Sequence, residues 1–276
     1  MPPGKRKRLP MGKLDSILIV GCGNMGGAML RGWLAHGVHP DSILIIDPEA
    51  KNVPDGVRRV AAPEGAAPDV LVLAIKPQSL AQVAPTLAIG PHTLVISILA
   101  GVETAVLGQR LPGARAYVRV MPNMPAAIGE GASAVFAPDL DAAGRAQVDQ
   151  LVAPLGFATW VAEEDVFHAV TGISGSGPAF VFRFIEALAA AGEAEGLPPE
   201  LARHLALHTV AGSARLSLAT ETAPAELAEA VRSPNGTTHA GLTVMDASDL
   251  RDLVRATVKA TAQRSRELAE AARTAD

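Results

Sequence analysis

A single cysteine, Cys22, serves all 276 residues. That excludes an intramolecular disulfide and any zinc or iron–sulfur site built on several thiolates, and it leads to the expectation of a reducing, cytoplasmic setting. Aromatic residues are nearly as scarce, with six Phe, two Trp and one Tyr making 3% of the chain. Carbohydrate grooves and base-stacking platforms need exposed rings, so both are disfavoured. No apolar run approaches the ~20 residues of a membrane-spanning helix; the stretch from Thr93 to Val102 is among the longest. Excess positive charge is also missing from the body of the chain. The net charge of −4 divides into a leader, residues 1–13, with Lys5, Arg6, Lys7, Arg8 and Lys13 and no acid, and a remainder with 19 basic against 28 acidic side chains, a net of −9. An acidic body disfavours nucleic acid as a partner. The leader, bounded by Pro2-Pro3-Gly4 and Leu9-Pro10, reads as a disordered tail, with Met11 as an alternative start.

What is present is a 49% apolar chain made largely of small side chains, long enough at ~150 residues per domain for about two domains. From Leu14 to Ala162, short apolar runs (Ile17–Val20, Ile43–Ile46, Val70–Ile75, Leu94–Leu99, Tyr117–Val120, then Ala132–Phe136 and Ala158–Val161) alternate with helical stretches, which predicts βαβ units and a mainly parallel sheet. From Glu163 onward no strand pattern remains, and helices are expected at Ala179–Glu195, Pro199–Ala219, Ala225–Val231, His239–Met245 and Leu250–Ala272. The predicted layout is therefore α/β: a tail at 1–13, a Rossmann-type dinucleotide-binding domain at 14–162, and an all-helical domain at 163–276. Alanine-rich helices with one apolar face, such as Phe180, Phe184 and Leu188, form an incomplete core alone, so this domain is expected to pair with a second copy of itself.

The strongest local signal is Gly21-Cys22-Gly23-Asn24-Met25-Gly26, set between a strand and a helix. In that context Gly21 permits a tight turn, Gly23 a close approach to a pyrophosphate, and Gly26 close helix–strand packing, with the helix N-terminus facing the anion. Asp47 follows Gly26 by 21 residues at the end of the second run. It either accepts hydrogen bonds from the adenosine ribose, favouring NADH over NADPH by repelling a 2′-phosphate, or merely caps the turn at Pro48. Ala74-Ile75-Lys76-Pro77 and Ala100-Gly101 end later runs and are expected at the nicotinamide half, Lys76 as a loop residue and not a proton-transfer group. Met121-Pro122-Asn123-Met124-Pro125 brings an amide to the same rim.

In the helical half, Ser174-Gly175-Ser176-Gly177-Pro178 precedes a long helix, and Ser233-Pro234-Asn235-Gly236-Thr237-Thr238 opens another. The second loop gathers hydroxyls and free backbone N–H groups in the manner of a carboxylate site that needs no arginine. His204 and His208 lack the acid of a zincin pair, and no metal is expected.

Together GCGNMG, AIKPQ, RVMPNMP, TGISGSGPAF and SPNGTTHAGL resemble the pyrroline-5-carboxylate reductase family over nearly all of residues 14–270. Asn235-Gly236 stands where that family commonly has two glycines, and Met124 where it has Thr; Asn tolerates positive φ, so the loop is expected to survive. The resemblance implies reduction of 1-pyrroline-5-carboxylate to L-proline, the last step of proline biosynthesis, by hydride from NADH or NADPH without metal. It implies that the loop residues Ser233, Gly236, Thr237 and Thr238 hold substrate, with Thr238 at the ring nitrogen, that Glu221 and Glu164 face its positive charge, and that the protein forms dimers, often built into decamers. β-Hydroxyacid dehydrogenases share the glycine-rich opening and a GxxGxGxxxK motif. Here Gly172, Gly175 and Gly177 match, but Val181 and Ile185 replace the lysine and asparagine that alcohol oxidation needs.

Overall fold

The computed structural model describes residues 16–50 and 53–274; the basic tail and Lys51 lie outside them. Eight strands form one sheet in the order β3-β2-β1-β4-β5-β6-β7-β8. They are β1 (Ile17–Val20), β2 (Ile43–Ile46), β3 (Arg58–Val60), β4 (Val70–Leu73), β5 (Leu94–Ser97), β6 (Ala116–Met121), β7 (Gly131–Phe136) and β8 (Gly156–Trp160). All neighbours run parallel except β6 and β7. The chain order reverses between β1 and β4, where β1 pairs with both β2 and β4.

Helices α1 (Asn24–Ala35), α2 (Leu80–Val83), α3 (Thr104–Arg110) and α4 (Ala142–Val152) connect strands. Covered on both faces, β1, β4 and β5 are buried at every position, which is why they read as continuous apolar runs and not as alternating ones. One face of the sheet packs Met29, Leu30 and Trp33 of α1 with Val148, Leu151 and Val152 of α4. Trp33 Nε1 donates to the Leu151 carbonyl at 2.6 Å, so the large buried ring leaves no polar atom unpaired. The opposite face packs Leu80, Val102, Val106 and Leu107. Strand β3 was not expected from the sequence: Arg-Arg-Val is short, and its two arginines are exposed at a sheet edge, where apolar patterning is not required.

Downstream come α5 (Phe167–Val170), a π-turn at Thr171–Gly175, α6 (Gly177–Ala194), α7 (Pro199–Thr220), α8 (Pro224–Ala230), α9 (Thr237–Ala247) and α10 (Leu250–Thr274). Among the described residues no strand follows Trp160. The compact units do not divide at 162/163. The sheet unit runs on to Ser176 and regains the chain from Ala260, so the end of α10 belongs to it, and Gly177–Lys259 forms the second unit.

In that second unit, α6 and α7 make a helical hairpin. A Cβ on Gly192 would lie 3.4 Å from Ala202 Cβ, so small residues set the spacing. Only Ala189, Ala202 and Ala206 are buried there among apolar residues, while Phe182, Phe184, Leu205, Leu216 and Val244 are exposed.

Candidate active site

Gly21 adopts φ +91°, and a Cβ on it would lie 2.5 Å from the Ala74 carbonyl oxygen. A Cβ on Gly26 would lie 2.3 Å from the Gly21 carbonyl oxygen. Both glycines are required by the protein itself, one for the turn and one for helix–turn packing. Gly23 is different, since a Cβ there would meet nothing within 4 Å. It precedes α1 without a side-chain cap, and the first turn carries no acid. The first turn of α1 therefore has no side-chain acceptor and has space beside Gly23 at the positive end of a helix dipole, a cradle that fits a diphosphate.

Asp47 closes the other side of the turn. Its carboxylate accepts from Cys22 N at 2.6 Å and from Glu49 N at 2.8 Å, so it both caps its own turn and braces the glycine loop. Burial, then the Asp47 charge, pushes the Cys22 thiol up and keeps it protonated, in keeping with a small loop residue and not a nucleophile.

The ends of β4 and β5 lie beside this turn. Ala74 N donates to the Val20 carbonyl at 2.8 Å, Lys76 is exposed, and Pro77 starts a short helical turn behind it. After β5, Gly101 takes φ +75°, and a Cβ on it would come within 3.1 Å of the backbone at Leu268 and Ala269, in the end of α10. Arg273 on α10 pairs with Glu103 through bonds of 2.9 and 2.5 Å, and His168 Nδ1 lies 3.0 Å from Ser265 Oγ. The rim also gains Asn123, whose amide donates to the Ser174 carbonyl at 3.0 Å and accepts from Ala132 N at 2.9 Å.

Glu164, expected to meet substrate, has several partners within the protein. Its carboxylate accepts from Thr104 N at 2.9 Å, Thr104 Oγ1 at 2.7 Å and Arg119 Nη1 at 3.0 Å, so both oxygens are engaged within the protein. Arg119 is buried, with its guanidinium 4.5 Å from the Phe167 ring centre. The sequence signal for this residue was available: an arginine inside the apolar run Tyr117–Val120 of a buried strand needs a partner.

Glu221 and the loop at 233–238 lie in the second unit. Glu221 ends α7 with φ 54° and is exposed. Asn235 has φ 59°, the left-handed conformation expected of it. A Cβ on Gly236 would lie 2.3 Å from Ser233 Oγ and 3.2 Å from the Ser233 carbonyl oxygen, so the turn is tight at this point. Gly236 precedes α9 with no side-chain cap, leaving the N–H groups of Thr237 and Thr238 at an open helix start. Arg232, unremarked in the sequence, pairs with Glu229 at 3.1 Å and with Asp246 on α9, bracing both ends of this turn.

Among the described residues no group of three or more His, Cys, Asp or Glu is placed to hold a metal, and no helix is long and apolar enough to cross a membrane.

A mostly parallel sheet with a glycine-turn diphosphate cradle at the point where strand order reverses marks a dinucleotide-binding protein. Comparison with known proteins narrows this. A family model described as pyrroline-5-carboxylate reductase dimerisation matches residues 164–268, and one described as NADP oxidoreductase, coenzyme F420-dependent, matches 16–101. The pyrroline-5-carboxylate reductase of Pseudomonas aeruginosa is 39% identical over 264 residues, covering 92% of this chain and 97% of its own. The structure of a pyrroline-5-carboxylate reductase from Coxiella burnetii superposes with a TM-score of 0.83 at 32% identity, covering 93% of this chain and 99% of that one. That of the Plasmodium falciparum enzyme, solved with NADP bound, superposes with a TM-score of 0.82 at 27% identity, covering 94% and 100%. The chain belongs to the pyrroline-5-carboxylate reductase family.

Proposed function

We propose that this protein reduces 1-pyrroline-5-carboxylate to L-proline with NADH or NADPH, the last step of proline biosynthesis. The observation that carries the reading, beside family membership, is the 233–238 turn. Its left-handed Asn235, its Gly236 fitted under Ser233 and its uncapped helix start make a compact anion site with hydroxyls and no lysine base.

When bound, the dinucleotide supplies a hydride to the imine carbon. Gly21, Gly23, Asn24, Met25 and Gly26 would hold its diphosphate, Asp47 its adenosine ribose, and Ala74, Lys76, Pro77, Ala100 and Gly101 would line its nicotinamide half. Ser233, Gly236 and Thr237 hold the substrate carboxylate through hydroxyl and backbone N–H groups. The Thr238 hydroxyl hydrogen-bonds the ring nitrogen, and Glu221 stabilises the positive charge that makes the imine electrophilic. As the C=N bond becomes a single bond, the nitrogen keeps its proton and the carbon gains the hydride, so positioning replaces acid–base chemistry as the main demand.

An acid 21 residues past the glycine turn is of the kind that repels a 2′-phosphate, and Asp47 in that position supports NADH as the preferred donor. The exposed apolar faces of α6 and α7 support a homodimer, with a decamer the larger assembly implied by the family, in the cytoplasm. Steady-state oxidation of NADH and of NADPH with 1-pyrroline-5-carboxylate, beside a control that follows reduction of NAD+ and NADP+ with a 3-hydroxyacid, tests the reading. Turnover with the imine alone is expected, with a higher kcat/KM for NADH; no turnover with the imine overturns the activity, and a strong NADPH preference overturns the role of Asp47.

A further inference from the structure

The helix that follows the nicotinamide-side loop is capped from a distance. Glu103 occupies the position before α3, yet its side chain makes no cap, because it is turned to Arg273. The acceptor for the first turn comes instead from Glu164, 60 residues on in sequence, which takes both the Thr104 N–H and its hydroxyl. A carboxylate at that point also favours the positive end of the helix. Its charge is balanced by Arg119 from β6, whose own side chain is only 4% exposed and rests on Phe167. One carboxylate thus ties three separate chain segments together directly behind the turn that contains Ala100 and Gly101.

We propose that Glu164 is a positioning residue for hydride transfer: with Arg119 and Thr104 it fixes the β5–α3 turn against which the nicotinamide docks. The inference rests on the cofactor site described above. Oε1 of Glu164 accepts two of its three bonds and Oε2 the third, so about three of the carboxylate's four acceptor directions are spent on holding the protein's own segments together. Because Arg119 is buried, the pair cannot open to water without stranding a charge, so its geometry is held through the catalytic cycle. The end of α10 clamps the same turn from another side at Gly101, Leu268 and Ala269, which leaves Glu164 to set its entry into α3.

The test separates cofactor from substrate. In the full-length enzyme Glu164→Gln and Thr104→Val are each expected to weaken NADH binding, read by fluorescence titration without substrate, by roughly tenfold, the scale of one lost charge-assisted bond. The two effects should be less than additive in the double variant, and Thr104→Ser, which keeps the hydroxyl, should restore wild-type binding. KM for 1-pyrroline-5-carboxylate at saturating NADH should change little. Unchanged NADH affinity with a raised KM for the imine in Glu164→Gln overturns the proposal and returns Glu164 to the substrate. So does full additivity between the two variants. If Glu164→Gln fails to fold, Thr104→Val against Thr104→Ser decides on the same criterion. Dinucleotide titration needs no turnover, so a wild-type protein that binds NADH but does not reduce the imine refutes the proposed activity alone.

Discussion

The two compact units of this chain differ in how complete they are. The sheet unit closes its own core: β1, β4 and β5 are buried throughout, and even Trp33 has a partner for its nitrogen. The helical unit buries three alanines and leaves its phenylalanines and many leucines exposed. A unit that hides only small residues has little apolar area to set against the entropy of ordering its helices. The lesson is that alanine serves here for close approach between helices, and the large side chains beside it are reserved for a surface that another copy covers. Membership in a family whose helical region is described as a dimerisation domain agrees with this.

The comparison can be broken most severely at the exposed faces. Replacing Phe184 and Leu205 together by Asp is expected to leave the sheet unit folded and to dissociate the assembly, each anchor contributing on the order of 2 kcal/mol or more. Sedimentation velocity should show monomers with little turnover but retained NADH binding; a dimer of unchanged stability would remove these faces from the interface. Within the sheet unit, two glycines of one loop should part company. Gly26→Ala drives a Cβ to 2.3 Å from backbone and should cost about 1–3 kcal/mol, seen as a lowered Tm. Gly23→Ala meets nothing in the protein, so its Tm should stay near wild type while NADH binding weakens. Equal Tm losses would show that both glycines are merely structural.

In the helical unit, Thr238→Ala should lower kcat/KM by ~10-fold or more with NADH binding unchanged, the scale of one positioned hydrogen-bonding or proton-relaying group. Unchanged kinetics would remove Thr238 from the mechanism. The smallest effect is electrostatic. The hydrogen bond from Arg273 holds the Glu103 carboxyl below its usual range, against an opposing push from burial. The folded state therefore binds that proton less readily than the unfolded chain. The ion pair stabilises at pH above the ordinary carboxylate range, and its contribution is lost as pH falls through the lower, folded value. Thermal melts from about pH 6 to 3 should show wild type losing more stability on acidification than Arg273→Met. Parallel curves would show the pair to be without weight.

Much of this was legible because it is local. Period and length exposed the buried parallel strands, and Gly21, Gly26 and Asn235 each proved to occupy a position with a steric or conformational reason for the residue. What escaped reading depends on contacts distant in sequence. Arg58 and Arg59 hide an edge strand, since an edge needs no apolar face. By position Glu164 reads as part of an acidic helix start, and only the three-dimensional placement of Thr104 and Arg119 shows the partners its carboxylate takes. The boundary expected after Ala162 follows the change from strand to helix patterning, which says nothing about a helix returning to the sheet. Ser265, Leu268 and Arg273 do return, and no periodicity announces it.

That return bears on how the protein is made. Residues 260–274 complete the sheet unit, yet the ribosome delivers them after the whole of Gly177–Lys259. The unit that begins synthesis first is therefore finished last. The turn at Gly101, which packs against Leu268 and Ala269, can gain that packing only after the last turns of α10 have been translated.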